Sequence, residues 1–329
     1  MRGTLFDTLY PMDHGFWEKL KKPFFVLAPM ADVTDLAFRT IIARCGRPNV
    51  FYTEFVSAHG LASAGRERLI KDLALADEDH PIVAQFFGTK PEHMRAAGTL
   101  ARELGFDGVD INMGCPSDPI MRQGAGVSLV RTPELARELV YAIRDGFQGP
   151  VAVKTRLGLY KPEEMETWIP AILESKPDVL ILHGRTMKEM SKVPAHWDLI
   201  GRAARMCHDA SVLCIGNGDV ISREQGMELA EQYGVDGIMV GRGIFHDPWL
   251  FGPRTQHTPR EHLELLLRHT DLWVQQWEGI KSFDLMKKFY KVYVSGWPGA
   301  AELRGRLMEC RDAAAVKTEV ALWISDVHT

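Results

Sequence analysis

The length, composition and charge of the chain exclude several classes of protein. With 329 residues, of which 46% are hydrophobic and 25% charged, it can bury a large core and exceeds one small domain. A net charge of −4 gives no global attraction to nucleic acid, so any RNA contact needs a local basic patch. No run is long enough to cross a bilayer and no signal peptide opens the chain, so we expect a cytoplasmic protein.

The five cysteines are odd in number and widely spaced. The chain has no Cys-x-x-Cys pair and no His-Glu-x-x-His motif, so we expect neither disulfides nor a metal site. We assign Cys45, Cys207, Cys214 and Cys310 to the core, because a free cysteine ordinarily packs as a small hydrophobic residue.

Eight short apolar runs predict parallel strands, and helical patterns separate most of them. The runs are continuously apolar, which is typical of strands covered on both faces. A strand followed by a helix, eight times over, is the pattern of a (β/α)8 TIM barrel, an α/β fold. The strands are expected near residues 24–30, 50–56, 81–87, 108–113, 151–156, 178–183, 212–216 and 237–241.

Capping patterns indicate where helices between these strands begin. Thr89 with Glu92 and Ser222 with Gln225 predict capping boxes. The connection over residues 57–80 is longer, and its sequence fits a mobile segment as well as a helix.

The alternation stops after the eighth strand, and a helical tail follows. Thr258, Pro259 and Glu261 predict a helix start, and helical patterns continue to about residue 324. We therefore divide the chain into a catalytic TIM barrel over residues 1–250 and a C-terminal all-helical domain over residues 251–329.

A residue with a chemical use ends nearly every predicted strand. In a TIM barrel all these ends open onto one face, and that face carries catalysis. The sequence therefore predicts a single site assembled from distant positions. They are Met30, Glu54, Gln85, Asn112, Cys115, Lys154, His183, Asn217 and Arg242.

Two glycine motifs follow the seventh and eighth strands, GNG over residues 216–218 and GRG over residues 241–243. Barrels often bind phosphate at these loops, because glycines let backbone N–H groups approach the oxygens. One such motif is explained equally well as a tight turn. Two at the expected loops, one with an arginine, favour phosphate.

Three strand-end side chains add donors suited to a flat ring. Lys154 in an apolar barrel needs an anion or acceptor, although alone it would also suit a solvated rim. Gln85 needs hydrogen-bond partners, and His183 supplies another polar group. Together with the phosphate loops they favour a flavin mononucleotide site over a sugar-phosphate site, with Lys154 stabilising an anionic reduced ring.

Cys115 follows the fourth strand in the motif NMGCPS and is the candidate catalytic residue. Pro116 turns the chain away, which would leave the thiol facing the barrel mouth. An ordinary thiol is mostly protonated at neutral pH, so it can act as an acid or, once deprotonated, as a nucleophile. The residues alone leave this choice open.

Taken together, the motifs resemble those of the dihydrouridine synthases over residues 24–250. They are APMADVTD, TEFV, VAQFFG, DINMGCPS followed by GAG, VKTRLG, LHGRT, IGNGDV and VGRGIF. The resemblance implies an FMN enzyme that takes hydride from NADPH and reduces the C5–C6 double bond of a uridine in tRNA to 5,6-dihydrouridine. The target nucleotide would swing out of the folded RNA to reach the barrel. We expect a monomer that binds tRNA.

The resemblance also implies a role for each site residue. Cys115 would donate the proton to C5, and Asn112 would contact the uracil, with Arg156 and Arg185 as further substrate contacts. The cofactor contacts implied are Pro29, Met30 and Ala31 along the flavin, Gln85, Lys154 and His183 at its ring, and Asn217, Gly218, Asp219, Gly241 and Arg242 at its ribityl phosphate.

Lysines interleaved with aromatic residues form a candidate RNA patch in the tail. The alternative is an amphipathic helix whose aromatic residues lie in the core. The residues are Lys281, Lys287, Lys288, Phe289, Tyr290, Lys291 and Tyr293.

Two other functions are open from the sequence. An FMN barrel could reduce a free pyrimidine or another small activated alkene, with the tail as an oligomerisation surface. A catalytically silent barrel could instead bind RNA and keep flavin for stability.

Overall fold

All eight predicted strands are present in the computed structural model, which describes residues 14–253 and 256–326. The outer ends of the two predicted domains, residues 1–13 and 327–329, lie outside the described residues, as do residues 254–255. The strands are β1 Phe24–Leu27, β2 Phe51–Ser57, β3 Ile82–Phe87, β4 Gly108–Met113, β5 Val151–Arg156, β6 Val179–His183, β7 Leu213–Asn217 and β8 Gly237–Val240.

The strands form one closed parallel barrel. Their order around the sheet is β1-β8-β7-β6-β5-β4-β3-β2. β1 and β2 close the circle through a single bridge between Val26 and Val50, supported by a 3.1 Å hydrogen bond from the Leu27 N–H to the Val50 carbonyl. The predicted (β/α)8 fold is therefore confirmed, and its β1–β2 seam has the fewest backbone contacts of the barrel.

Helices connect the strands and continue into the tail. Between strands lie α1 Leu36–Gly46, α2 Ala58–Leu61, α3 Arg66–Leu69, α4 Pro91–Glu103, α5 Asp118–Met121, α6 Pro133–Phe147, α7 Met165–Leu173, α8 Trp197–Asp209 and α9 Arg223–Tyr233. The tail contains α10 Pro259–Trp277, α11 Tyr290–Tyr293, α12 Ala300–Glu309 and α13 Ala313–Asp326. Short 3-10 turns cover Gly15–Lys19, Ile70–Leu73, Asp77–Asp79, Gly126–Arg131, Pro162–Glu164, Arg242–Phe245 and Phe283–Phe289. Nowhere in the described ranges does a helix have the length and apolar character needed to span a membrane.

Two of the predicted helix starts are confirmed by their caps. The Ser222 hydroxyl accepts a hydrogen bond from the Gln225 N–H at 3.1 Å at the start of α9, but the predicted box is incomplete, because Gln225 Oε1 accepts from the Ile221 N–H at 2.9 Å instead of from Ser222. Thr258 and Glu261 form a complete capping box at the start of α10. Each cap satisfies backbone N–H groups that the first helical turn leaves unpaired.

The predicted capping box of Thr89 with Glu92 is wrong. α4 begins at Pro91, so Lys90 is the N-cap residue, and its side chain makes no capping hydrogen bond. Proline sets this start, because its missing N–H needs no partner at the first helical position.

The connection over residues 57–80 contains α2, α3 and two 3-10 turns rather than one long helix.

Two apolar clusters fill the barrel domain. The inner cluster is closed at the amino end of the barrel by Trp17, which is 1% exposed and packs 5.6 Å from the ring of Phe24, the first residue of β1. The outer cluster lies between strands and helices and runs on into the tail, where the Phe38 and Phe289 ring centres are 5.2 Å apart. The amino end is sealed, and the carboxyl end is left for a site.

The helical tail packs against the first barrel helix. The Trp277 indole N–H donates to the Asp35 carboxylate at 2.7 Å, and the Ala37 N–H donates to Gln276 Oε1 at 3.0 Å. Barrel and tail therefore share one core, and the domain boundary at residue 250 stays a prediction.

Lys281 ties the tail to three segments at the barrel mouth. Its Nζ lies 3.0 Å from a carboxylate oxygen of Asp72, 3.4 Å from Glu54 and 3.6 Å from Asp32. It also lies 3.8 Å from the centre of the Trp277 ring, within range of a cation–π contact. Burial raises the pKa of Glu54 to about 7, against the opposing effect of Lys281. Glu54 thus holds the tail in place and lines neither of the cavities described below.

Candidate active site

Two adjoining cavities open at the carboxyl ends of the strands. The larger encloses about 670 Å³ and the smaller about 120 Å³. Pro29, Lys154 and His183 line both, so the cavities meet at these three residues. In a TIM barrel the catalytic site lies on this face, at the carboxyl ends of the strands.

The glycine loops after β7 and β8 shape the larger cavity. A Cβ on Gly243 would lie 2.0 Å from the Val220 carbonyl oxygen, and Gly218 has a φ of 141° that favours glycine. The two loops can therefore pack with their backbones in contact. Such loops offer backbone N–H groups to a phosphate at close range.

The lining of the larger cavity is strongly basic. Asp219 is its one carboxylate among the described residues, and it is paired with Arg185 and accepts from the Ala195 N–H at 2.8 Å. Burial alone would raise the pKa of Asp219, but the hydrogen bond from Arg185 holds it below its ordinary value. An anionic ligand suits this cavity. The basic lining residues are Lys154, Arg185, Arg242, Lys288 and Lys291.

Lys154 and His183 stand where the cavities meet, and they differ in charge. Burial lowers the pKa of Lys154 to about 8, with Arg156 adding to the effect, so the ammonium is still mostly protonated at neutral pH. Burial and then Arg156 hold the pKa of His183 well below its usual range, so its imidazole is neutral. The Lys154 Nζ donates to Asn217 Oδ1 at 3.2 Å, which leaves two N–H groups for a ligand.

The smaller cavity surrounds Cys115 with amide side chains. The half-buried Cys115 donates its backbone N–H to Asn112 Oδ1 at 2.9 Å. Asn112 Nδ2 donates to Gln85 Oε1 at 3.0 Å, and Gln85 Nε2 donates to Asp110 Oδ1 at 2.6 Å. This chain of hydrogen bonds fixes both amides, and each keeps one N–H for a ligand.

A tight loop holds Cys115 in place. Gly126 has a φ of 61°, and a Cβ there would lie 2.6 Å from the Cys115 carbonyl oxygen. That oxygen accepts from the Val127 N–H at 3.1 Å. The GAG sequence after NMGCPS therefore lets the chain return under the thiol.

Asp110 is a buried carboxyl beneath the amides that is not among the predicted site residues. Burial raises its pKa to about 7, while the hydrogen bond from Gln85 and the charge of Lys154 act against this rise. Its Oδ2 and the Tyr52 hydroxyl make no hydrogen bond with a described residue. A carboxyl side chain in the middle of a largely apolar strand is the sequence signal that points to it.

The structure separates the predicted substrate contacts. Arg156 lines the smaller cavity with Asn112 and Cys115, whereas Arg185 lines the larger one. Ala31 is exposed and lines neither cavity. The substrate role of Arg185 and the flavin contact of Ala31 stay predictions.

The other four cysteines are buried, as predicted. In the described part of the chain, no three His, Cys, Asp or Glu side chains are placed to hold a metal ion.

The predicted RNA patch divides into buried and exposed parts. Its three aromatic residues are at most 1% exposed and belong to the core. Lys281 is held by carboxylates, and Lys287 pairs with Asp284 at 2.7 Å. Lys288 and Lys291 remain exposed and line the larger cavity. Sequence patterns gave no sign that the tail reaches the site.

A family model described as Dihydrouridine synthase matches residues 26–326 of the chain. The chain belongs to the dihydrouridine synthase family. The family inferred from the motifs is thus confirmed, and with it the assignment as an oxidoreductase. The match extends through the tail, well beyond the motifs, which end near residue 250.

Curated relatives in this family resemble the chain over almost its whole length. A protein of Staphylococcus aureus strain Mu50 named probable tRNA-dihydrouridine synthase is 41% identical over 312 residues, which cover 93% of this chain and 94% of the relative. The Bacillus subtilis strain 168 protein named probable tRNA-dihydrouridine synthase 2 is 41% identical over 311 residues, covering 93% and 95%.

Solved structures of low sequence identity share the barrel fold with this family member. A 6-hydroxypseudooxynicotine amine oxidase from Pseudomonas geniculata superposes with a TM-score of 0.54 at 16% identity over 76% of this chain. A histamine dehydrogenase from a Rhizobium species gives 0.53 at 14% identity over 75%. The chain spans about half of each of these longer proteins, 49% and 48%.

Proposed function

We propose that this chain is an FMN-dependent tRNA-dihydrouridine synthase that uses NADPH as reductant. The observation that carries the proposal is the meeting of a basic, glycine-lined cavity with a pocket walled by Cys115. The larger, basic cavity suits a flavin nucleotide, and the smaller cavity beside Cys115 suits a single pyrimidine. The names of the 41% identical relatives support tRNA as the substrate, and a cytoplasmic location is part of the same proposal.

The residues present fit FMN at both ends of the molecule. Arg242 and the glycine loops offer charge and backbone N–H groups to a phosphate, and Lys154 offers two free N–H groups to a polar ring. Neutral His183 can donate or accept a hydrogen bond beside them without adding charge. When bound, FMN would supply hydride chemistry, accepting hydride from NADPH and delivering it to C6 of the pyrimidine.

Cys115 has the position of a general acid in the smaller cavity. Saturation of the C5–C6 bond needs a proton at C5 as well as a hydride at C6, and a thiol S–H can provide it. Asn112 keeps one amide N–H for a uracil carbonyl, and Arg156 adds positive charge on the same wall. Both groups would stabilise the negative charge that develops before the proton arrives.

The test combines the purified full-length chain with FMN, NADPH and tRNA that lacks dihydrouridine. We expect the protein to retain flavin and to form dihydrouridine, measured by mass spectrometry of nucleosides from digested tRNA. A parallel reaction with free uracil tests the small-substrate function. Rapid reduction of uracil with no product in tRNA would contradict the proposal, as would a protein that takes up no FMN.

Gly243→Ala is expected to weaken FMN binding by about 5-fold to 150-fold. The added Cβ would meet the Val220 carbonyl oxygen at 2.0 Å, so the two phosphate-binding loops must separate, at a cost of about 1–3 kcal/mol for overpacking. Quenching of FMN fluorescence by the apoprotein measures the change. Gly305→Ala, where an added Cβ meets open space outside both cavities, is the matched control, and equal affinities of the two variants would show that loop spacing is unimportant.

A further inference from the structure

The larger cavity is not built by the barrel alone. Lys288, Lys291 and Val292 of the tail line it together with the glycine loops. The Lys288 Nζ donates to the Asp32 carbonyl at 3.1 Å, which places this stretch beside the loop after β1. Lys291 is exposed, and within the described ranges it has no hydrogen-bond or ion-pair partner.

The tail residues lie on the phosphate side of the site. The Phe289 ring is 6.5 Å from Phe245, which follows β8, and 5.2 Å from Phe38, which follows β1. β8 and β1 are neighbours in the barrel, and β4, which leads to Cys115, lies across from them. The smaller cavity has no tail residue in its described lining. Lys288 and Lys291 therefore share the larger cavity with Arg242 and do not line the cavity that holds the thiol.

The charges on this side call for a ligand with more than one negative charge. Arg242, Lys288 and Lys291 face a lining whose one described carboxylate, Asp219, is already paired with Arg185. A phosphate monoester carries a charge of about −1.5 to −2 at neutral pH. The single positive charge of Arg242, together with backbone N–H groups, neutralises only part of the phosphate charge. Lys288 and Lys291 can neutralise the remainder.

We propose that Lys288 and Lys291 bind the phosphate of FMN, so that the helical tail forms part of the cofactor site. This inference rests on the proposed FMN dependence. A phosphate of the RNA backbone has the same chemistry, and the experiment below separates the two sources. Because FMN would contact both barrel and tail, its binding would also stabilise their packing against each other.

The test compares FMN with riboflavin, which lacks the phosphate. The Lys288→Gln/Lys291→Gln variant of the full chain replaces each lysine with a slightly shorter polar side chain that can still donate hydrogen bonds, and it removes both charges. We expect its dissociation constant for FMN to rise about tenfold, and that for riboflavin to change by less than about twofold. Lys287→Gln, in the same segment but paired with Asp284, is the control and should alter neither. Fluorescence titration gives both constants without turnover.

Three results would overturn the inference. Equal weakening of FMN and riboflavin would mean that the lysines only hold the tail in position. Unchanged FMN binding with weaker tRNA binding would assign them to the RNA backbone. A wild-type protein that binds neither flavin would remove the proposed function and this inference together, whereas the first two results leave the proposed function intact.

Discussion

Replacing Cys115 with alanine is expected to lower dihydrouridine formation by about 100-fold or more, the usual range for loss of a general acid. Cys115 lines only the smaller cavity, so the variant should keep the flavin content of the wild-type protein. The measurement is the single-turnover rate at which tRNA reoxidises the reduced enzyme, with product quantified by mass spectrometry. A variant that keeps its flavin but loses turnover is the result expected for loss of a proton donor.

Cys310→Ala is the matched control for the loss of a thiol. Cys310 is buried in the tail and lies in neither cavity, so its removal should leave the rate unchanged. If Cys115→Ala reacts as fast as Cys310→Ala, the acid role is wrong. If wild-type protein and both variants form no product yet bind tRNA, the catalytically silent RNA-binding barrel becomes the better description.

Lys281→Met is expected to lower the free energy of unfolding by about 3 kcal/mol, because it leaves the buried Glu54 carboxyl and the nearby Asp32 and Asp72 carboxylates without their cation. The Lys281 side chain is 14% exposed, and Glu54 is 6% exposed beside it. Urea denaturation of the full chain measures the change. Lys287→Met removes a lysine whose partner, Asp284, is largely exposed, and should cost less than about 1 kcal/mol. Equal costs for the two variants would contradict this account.

The effect of Lys281→Met should grow as the pH rises. Glu54 has a pKa of about 7 in the folded protein against an ordinary 4.5, so the folded state retains a proton that the unfolded chain releases. Stability from this group therefore falls as pH rises from about 4.5 to about 7. Without Lys281 the pKa of Glu54 rises further, and the decline extends above pH 7. A smaller cost at pH 8 than at pH 5 would exclude this mechanism.

The barrel and much of the site can be predicted from the sequence for a simple reason. Parallel strands are continuously apolar, and their carboxyl ends meet on one face whatever the connecting segments do. Cys115, Gln85, Lys154 and His183 therefore come together without knowledge of any tertiary contact. The structure places all four on the two cavities.

What the sequence does not reveal depends on packing between distant segments. The approach of Lys288 to Asp32 spans 256 positions, and nothing local encodes which face of the tail meets the barrel. The alternation of lysines and aromatics fits an RNA surface and a buried helix equally well, and only the packing of Phe289 against Phe38 decides. Lys281 shows the same limit, because its three carboxylates come from three separate segments.

The Lys281 contacts also bear on any attempt to exchange substrate specificity between relatives. The lysine joins Asp32 after β1, Glu54 on β2 and Asp72 in the following connection, so it fastens the barrel across its least-paired seam. If the tail of a relative without this lysine replaced the present tail, the three carboxylates would lose their cation. A working chimera therefore needs the three acidic residues and the tail to come from the same parent. The barrel mouth and the appended helices must be exchanged together.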